Sequence, residues 1–355
     1  MKVNNLEFDN KINVHALLIA CCTIFFSPLH AQYHDLFCKS RYTWVAEYTA
    51  DYELNPLYSD KVTTEMNLAQ VVRLENQAGQ NGLFRDLELK HYLSDAFLRG
   101  LADGAFACYA DEQLTQPLSP ENAQKRLSRL DTITGLDSEE PVTILNMVRP
   151  QEIDLFRIRQ VFFFDSRKKQ FGARLLAVAP LLNREDTEGK VVERRPLFWI
   201  KIPQQNTRQI GKLAKSANYA VQTFMRENAP EPDGMKTLKG RLDLKKWAND
   251  AVHHSSHKLL SYDTYDVLSR ATLHAQIFVA DTVTVFAPDS FAETVVAVQE
   301  NAIDRVEKIR FVQNWYYDER QHLFAMQVVA VAPLAAVRDS EGELRYYKPL
   351  FYSKY

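Results

Sequence analysis

The chain writes one stretch twice. Arg157 to Ile202 reads RIRQVFFFDSRKKQFGARLLAVAPLLNREDTEGKVVERRPLFWIKI, and Arg310 to Tyr355 reads RFVQNWYYDERQHLFAMQVVAVAPLAAVRDSEGELRYYKPLFYSKY. The copies align without a gap. Asp165 falls on Asp318, Ala177-Val178-Ala179-Pro180-Leu181 on Ala330-Val331-Ala332-Pro333-Leu334, Gly189 on Gly342, and Pro196-Leu197-Phe198 on Pro349-Leu350-Phe351. Such a match marks an internal duplication, so the fold must accommodate one unit twice. Each copy reads as a three-stranded antiparallel meander. An aromatic run (Phe162 to Phe164; Trp315 to Tyr317) precedes a polar turn at the Asp. A second apolar run ends at the Pro, as a strand does when it loses a backbone donor. An acidic loop, Asp186 to Gly189 or Asp339 to Gly342, leads to the third strand.

This unit buries aromatic surface. Its Asp, Arg and Pro residues are those that hairpin turns and strand ends use, and nothing in it sets a nucleophile beside a base. The structural reading therefore ranks above a catalytic one for Asp165 and Asp318.

Upstream of each copy the pattern is helical. Ser59 to Gln70 and Leu83 to Gly104 read as helices, the second with a stripe at Leu89, Leu93, Phe97 and Leu101. Gly104 is placed to end it. Ser119-Pro120-Glu121 reads as an N-cap, a first-turn proline and an acidic first turn, opening a helix to about Leu130. Thr132 to Glu140 reads as an acidic loop. Beyond the first copy, Gln204 to Glu227 reads as a polar helix with a stripe at Ile210, Leu213, Tyr219 and Phe224. Asn228 to Gly234 is dense in turn formers and marks a linker. Helices are then expected over Leu242 to about Leu260 and Tyr262 to Leu273. A strand is expected over Ile277 to Phe286, and a helix from Pro288-Asp289 to Val306. Tyr92 to Ala105 against Tyr262 to Ala275 offers a partial upstream match. The expectation is an α+β chain of two related modules, each with helices followed by a meander. The segments are a signal peptide over 1–31, a first module over 32–227, a linker over 228–240 and a second module over 241–355.

Lys2 and Lys11 precede an apolar run from Val14 to Phe26, Ser27-Pro28 breaks it, and Ala31 offers a cleavage site before Gln32. The run is short for a permanent anchor. Leu18-Ile19-Ala20-Cys21 also fits a lipidation pattern, but Cys22 to Phe26 stays apolar where a polar tether belongs, so cleavage at Ala31 is preferred. After cleavage Cys38 and Cys108 remain, either as a disulfide or as two unrelated thiols.

Motifs for chemistry are missing. The sequence has no GxSxG elbow, Walker A loop, HExxH, CxxC pair or GxGxxG fingerprint. His253 and His257 stand four residues apart in an expected helix, with His254 beside them, which is a two-ligand spacing. No third or fourth ligand is nominated, so solvated histidines are the default. No catalytic, cofactor-binding or metal residue is assigned. The net charge of -2 and the lack of basic stretches among the aromatics argue against a general electrostatic role on nucleic acid or anionic membrane.

The aromatic-aromatic-Asp turn, the strand with Ala-Pro-Leu and the following Pro-Leu-Phe-Trp resemble the GldN/PorN family, most closely over Phe162 to Trp199. Tyr42-Thr43-Trp44 and Asn55-Pro56-Leu57-Tyr58 are similar to its N-terminal signature. The resemblance covers Tyr42 to Ile202, and the second meander is an addition to the family pattern. It implies a non-enzymatic periplasmic component of the Bacteroidetes type IX secretion and gliding motility machinery, peripheral to the outer membrane. It further implies a large assembly with a GldK/PorK-like outer-membrane lipoprotein. From the residues themselves, no cofactor, no nucleic acid and no membrane span of its own are expected. The alternative is an exported hydrolase or ligand-binding protein with an unrecognised site. A third reading, a lipid-anchored surface protein, rests on Cys21.

Overall fold

The computed structural model describes residues 33–53, 70–71, 93–133, 142–153, 155–185, 190–216, 219–224, 235–254, 257–286, 293–339 and 341–355. The signal segment, residues 228–234 of the linker, the expected helix at Ser59 except Gln70, and residues 83–92 of the next expected helix lie outside these.

The first half runs α1 (His34–Cys38), β1 (Tyr42–Glu53), β2 (Gln70–Val71), α2 (Leu93–Ala102), β3 (Cys108–Tyr109), β4 (Pro117–Leu118), α3 (Pro120–Lys125), β5 (Ser128–Ile133), β6 (Val142–Met147), a 3₁₀ turn, β7 (Leu155–Asp165), β8 (Gln170–Glu185), β9 (Val191–Pro196), β10 (Trp199–Lys201), α4 (Thr207–Ser216) and β11 (Tyr219–Phe224). The second runs β12 (Met235–Lys239), α5 (Leu244–His254), β13 (Lys258–Leu260), α6 (Arg270–Ile277), β14 (Phe278–Phe286), β15 (Glu293–Asn301), a 3₁₀ turn, β16 (Val306–Asp318), β17 (Leu323–Arg338), β18 (Leu344–Pro349) and β19 (Tyr352–Lys354). The protein is mixed helix and strand, with two large antiparallel sheets.

Among the described residues one sheet has the order β12-β1-β7-β8-β10-β3-β4, with β9 also on β8. The other has the order β13-β19-β17-β16-β11-β2, with β18 also on β17. Strands β17 to β19 start and stop where β8 to β10 do, at one constant offset. The long hairpins even shift register at matching points, between Arg159 and Gln160 and between Val312 and Gln313. An extra residue there bends both hairpins alike. The halves also exchange strands. β11, before the expected linker, pairs with β16, and β12, which forms within the last part of that expected linker, pairs with β1.

The strands do not stop at their prolines as expected. β8 continues through Pro180 to Glu185, and β17 through Pro333 to Arg338. The third strand of each copy is instead broken in two, at Leu197-Phe198 and at Leu350-Phe351. The carbonyls of Pro180 and Pro333 accept from the nitrogens of Leu197 and Leu350, in those breaks. In an antiparallel ladder a residue's N–H and C=O point to the same neighbour. The missing proline donors therefore face the gap, where no ladder bond is lost.

Helix expectations hold in part. Leu93, Phe97 and Leu101 of α2 are buried. Gly104, at φ 66°, closes the helix, with Ala105 N donating to Gly100 O and Gly104 N to Leu101 O. Ser119 caps α3 by accepting from Asn122 N at 3.2 Å. That helix, however, ends at Lys125, and the chain goes on as β5. Tyr219 to Phe224 is strand β11 rather than helix, because β16 supplies a partner for its whole length. The helix from Leu242 is α5, which stops at His254 and is followed by β13. Tyr262 to Leu268 precedes α6, a helix that Ser269 caps. The helix expected at Pro288 to Val306 is replaced by β15, paired with β14 from end to end, and the 3₁₀ turn. The upstream match also shifts, since in element order the counterpart of α2 is α5.

The main core lies between the sheets. Phe162 meets Phe311 with ring centroids 4.3 Å apart, Tyr52 meets Trp315 at 5.4 Å and Phe171 meets Phe311 at 5.7 Å. Each main helix reaches across: Phe97 of α2 contacts Tyr317 and Phe324 of the second sheet, and Trp247 of α5 contacts Phe171 of the first. At the centre the equivalent Gln160 and Gln313 touch. Gln313 Nε2 donates to Gln160 Oε1 at 2.9 Å, and Gln160 Nε2 donates to the Tyr52 hydroxyl.

Helix α1 covers the outer face of the first sheet, burying Tyr33 and Leu36 with Val45, Val161, Leu176 and Trp199. Arg174 of β8 ties it down through a two-pronged pair with Asp35. The hydrogen bond from Arg174 holds the Asp35 carboxyl down at about 2, against an ordinary value of 3.8. A depressed carboxylate contributes stability that is complete above its unfolded value and is lost as pH falls through its folded value. The stability gap between the wild type and Asp35→Asn should therefore shrink as pH drops from about 4 to about 2, measured by denaturant unfolding at each pH. A gap that stays constant across that window would remove the pair as its source.

Candidate functional site

Asp165 and Asp318 sit at the same place in their hairpins. Asp165 Oδ1 accepts from the nitrogens of Arg167 and Lys168 at 3.1 and 3.3 Å, and Oδ2 lies 3.5 Å from Arg41 Nε. Asp318 Oδ1 accepts from Arg320 N and Gln321 N at 2.9 and 3.1 Å, and Oδ2 accepts from the Ser216 hydroxyl at 2.5 Å. Both carboxylates are buried and fix turns. Lys169 and His322, four residues on, share a left-handed backbone at φ 51° and 49°.

The histidines do not gather. α5 ends at His254, so His257 is not on the same helical face as His253. His257 turns instead toward the Tyr355 ring at 5.0 Å, with Nε2 3.3 Å from the Lys168 carbonyl oxygen. Among the described residues no group of His, Cys, Asp and Glu could hold a metal. Cys38 and Cys108 are separate thiols, one exposed and one buried. Burial pushes the Cys108 thiol up to about 11.

What the sequence did not single out is a cleft of about 470 Å³ between α5 and the β7–β8 turn. Its walls are aromatic, from Trp44, Phe164 and Trp247, and its rim carries Lys169, Arg241 and Lys246. All three cations are exposed, and among the described residues none has an ion pair or a side-chain hydrogen bond. Asp243 and Asp250 also line it. The Asp243 carboxylate accepts from Lys246 N at 2.9 Å and so caps α5. The cleft can hold an apolar group against indole walls and meet charge at its rim.

Residues 55–222 match the family model of the gliding motility associated protein GldN. This match, over just under half of the chain, supports a GldN/PorN family assignment. It spans the first aromatic hairpin and ends within β11, so the second hairpin lies outside the matched residues. No curated protein matches the chain. The GldN family belongs to the multi-protein gliding motility and type IX secretion machinery. Among the described residues no helix is long and apolar enough to cross a membrane.

Proposed function

We propose that the chain is a non-enzymatic periplasmic assembly component of the type IX secretion and gliding machinery. In this reading it is exported by a signal peptide cleaved at Ala31 and lies peripheral to the outer membrane, where it binds an outer-membrane lipoprotein. The family match over 55–222 carries the reading. Two further observations support it. The sequence lacks catalytic motifs, and the repeated Asp165 and Asp318 are spent on turns. We also propose that 32–227 and 241–355 are related modules joined by a linker over 228–240, on the strength of their shared strand bounds.

The test is a tagged copy replacing the native gene, scored for secretion and motility. The protein is then captured from detergent-solubilised envelope and its N-terminus sequenced. Capture should bring down an outer-membrane lipoprotein, and the mature chain should begin at Gln32. Asp165→Asn and Asp318→Asn should each cost about 1 kcal/mol per turn hydrogen bond lost and leave secretion intact. If either variant stays folded and bound to its partners yet abolishes secretion, the assembly reading gives way to a catalytic carboxylate.

A further inference from the structure

The two halves treat one structural position in opposite ways. In the second sheet the junction of α2 with the β16–β17 turn is closed. Arg99 pairs with Glu319 at 2.5 Å, and Phe106 packs edge-on against His322 with centroids 6.0 Å apart. His322 Nδ1 also lies 3.2 Å from the Tyr317 hydroxyl. The fit is tight, since a Cβ on Gly100 would come within 2.5 Å of the Phe106 ring and 3.0 Å of His322 Nδ1.

The corresponding junction of α5 with the β7–β8 turn is the open cleft. By the register of the duplication, Ser166 stands for Glu319, Lys169 for His322 and Phe164 for Tyr317. Counted from the first residue of each helix, Asp250 stands for Arg99 and His257 for Phe106. Every side chain that closes the second junction has thus been exchanged. The ion pair is replaced by Asp250 and Ser166, which form none. The plugging Phe is replaced by a His that is drawn aside to Tyr355. What remains is a space with indole walls and three cations that face solvent.

We propose that this cleft is a docking site for an extended peptide segment of a partner protein, one presenting an aromatic side chain beside carboxylates. The aromatic group would take the place that Phe106 fills in the closed junction. The carboxylates would meet Lys169, Arg241 and Lys246, which outnumber Asp243 and Asp250. A peptide fits better than a compact metabolite because the cleft adjoins a sheet edge. Among the described residues β12 is the terminal strand of its sheet, and it leads through Gly240 into Arg241 of the cleft rim, so the sheet edge runs up to the pocket. Strand addition for affinity with a side pocket for specificity is a recurring mode of peptide recognition. The proposal rests on the binding role given above and adds the site and its ligand chemistry.

The probe is a fluorescein-labelled peptide, Gly-Ser-Glu-Phe-Glu-Ser-Gly, titrated with the purified chain and followed by anisotropy. Saturable binding is expected. It should weaken at least about tenfold in Arg241→Ala/Lys246→Ala, and likewise when the peptide Phe becomes Ala or its Glu residues become Lys. Arg241 and Lys246 are exposed, so the variant should keep its circular dichroism and melting temperature. Lys169→Ala provides an independent reading, and Arg99→Met, at the closed junction, should leave affinity unchanged. Absent saturable binding, or equal affinity in the folded double variant, overturns the site. Equal binding of the Lys peptide overturns its charge preference. Envelope capture separates the two failures. If the double variant loses the peptide but still captures the lipoprotein, the binding role stands and the cleft is not its site. If the wild type captures none, the binding role fails whatever the peptide does.

Discussion

Trp315→Ala should destabilise the protein by about 3–5 kcal/mol, a large share of the stability of an ordinary domain. Trp315 has no solvent exposure and lies where the two sheets meet. Its ring is 5.4 Å from Tyr52 of the first sheet and 5.7 Å from Phe324 of its own. Truncation leaves a cavity walled by rigid strands from both halves, with little freedom to collapse. Trp315→Phe keeps most of the volume and should cost less than half as much. Denaturant melts of both variants give the comparison. A loss under about 1 kcal/mol for the Ala variant would mean that the sheets do not share a core at this point.

Gly240→Ala should be nearly as damaging, although it adds only a methyl group. Gly240 has φ 65°, and a Cβ there would sit 1.9 Å from the carbonyl oxygen of Thr43. The obstacle is backbone, so β1 and β12 must separate. Strain of this kind costs about 1–3 kcal/mol, and the clash adds to it. Gly104 supplies an internal control. Its φ is 66°, and nothing lies within 4 Å of its ideal Cβ. Gly104→Ala should thus show the left-handed penalty alone, about 1 kcal/mol. The difference between the two melting curves isolates the close approach. If the two variants melt alike, β12 does not need that contact. Thr43 and Arg241 line the cleft, so Gly240→Ala should also weaken peptide binding.

The long hairpins were legible because their residues state a local preference twice. Aromatic runs, a turn Asp and apolar runs full of Ala and Val agree with a strand on every count. Capping was legible at Ser119, where proline and glutamate follow, and was missed at Ser269, where neither does, though both hydroxyls accept the same bond. Where the reading failed, distant partners overruled local signals. Pro288-Asp289 resembles a helix start, yet Thr294, Val295, Val296 and Val298 favour a strand and β14 provides its partner. Tyr219 and Phe224 continue a helical stripe in sequence but belong to a strand claimed by β16. The cleft was invisible for a similar reason. Lys169, Arg241 and Lys246 are unremarkable surface cations until the fold brings them together. The one clue was available in the duplication itself, where Ser166 and Lys169 differ in charge and size from Glu319 and His322.

The strand exchange between the halves bears on how the chain is made. β1 lies between β7 and β12, and the hydroxyl of Tyr355 accepts a hydrogen bond from Phe171 N at 3.1 Å. The first sheet therefore cannot finish until segments far along the chain have emerged, and β11 must wait for β16. Contacts between such distant residues make folding slow and leave aromatic strands bare in the interval. Vectorial synthesis offers no early, self-sufficient N-terminal unit. A nascent chain of this design keeps those strands without their partners until β12 and β16 have been made.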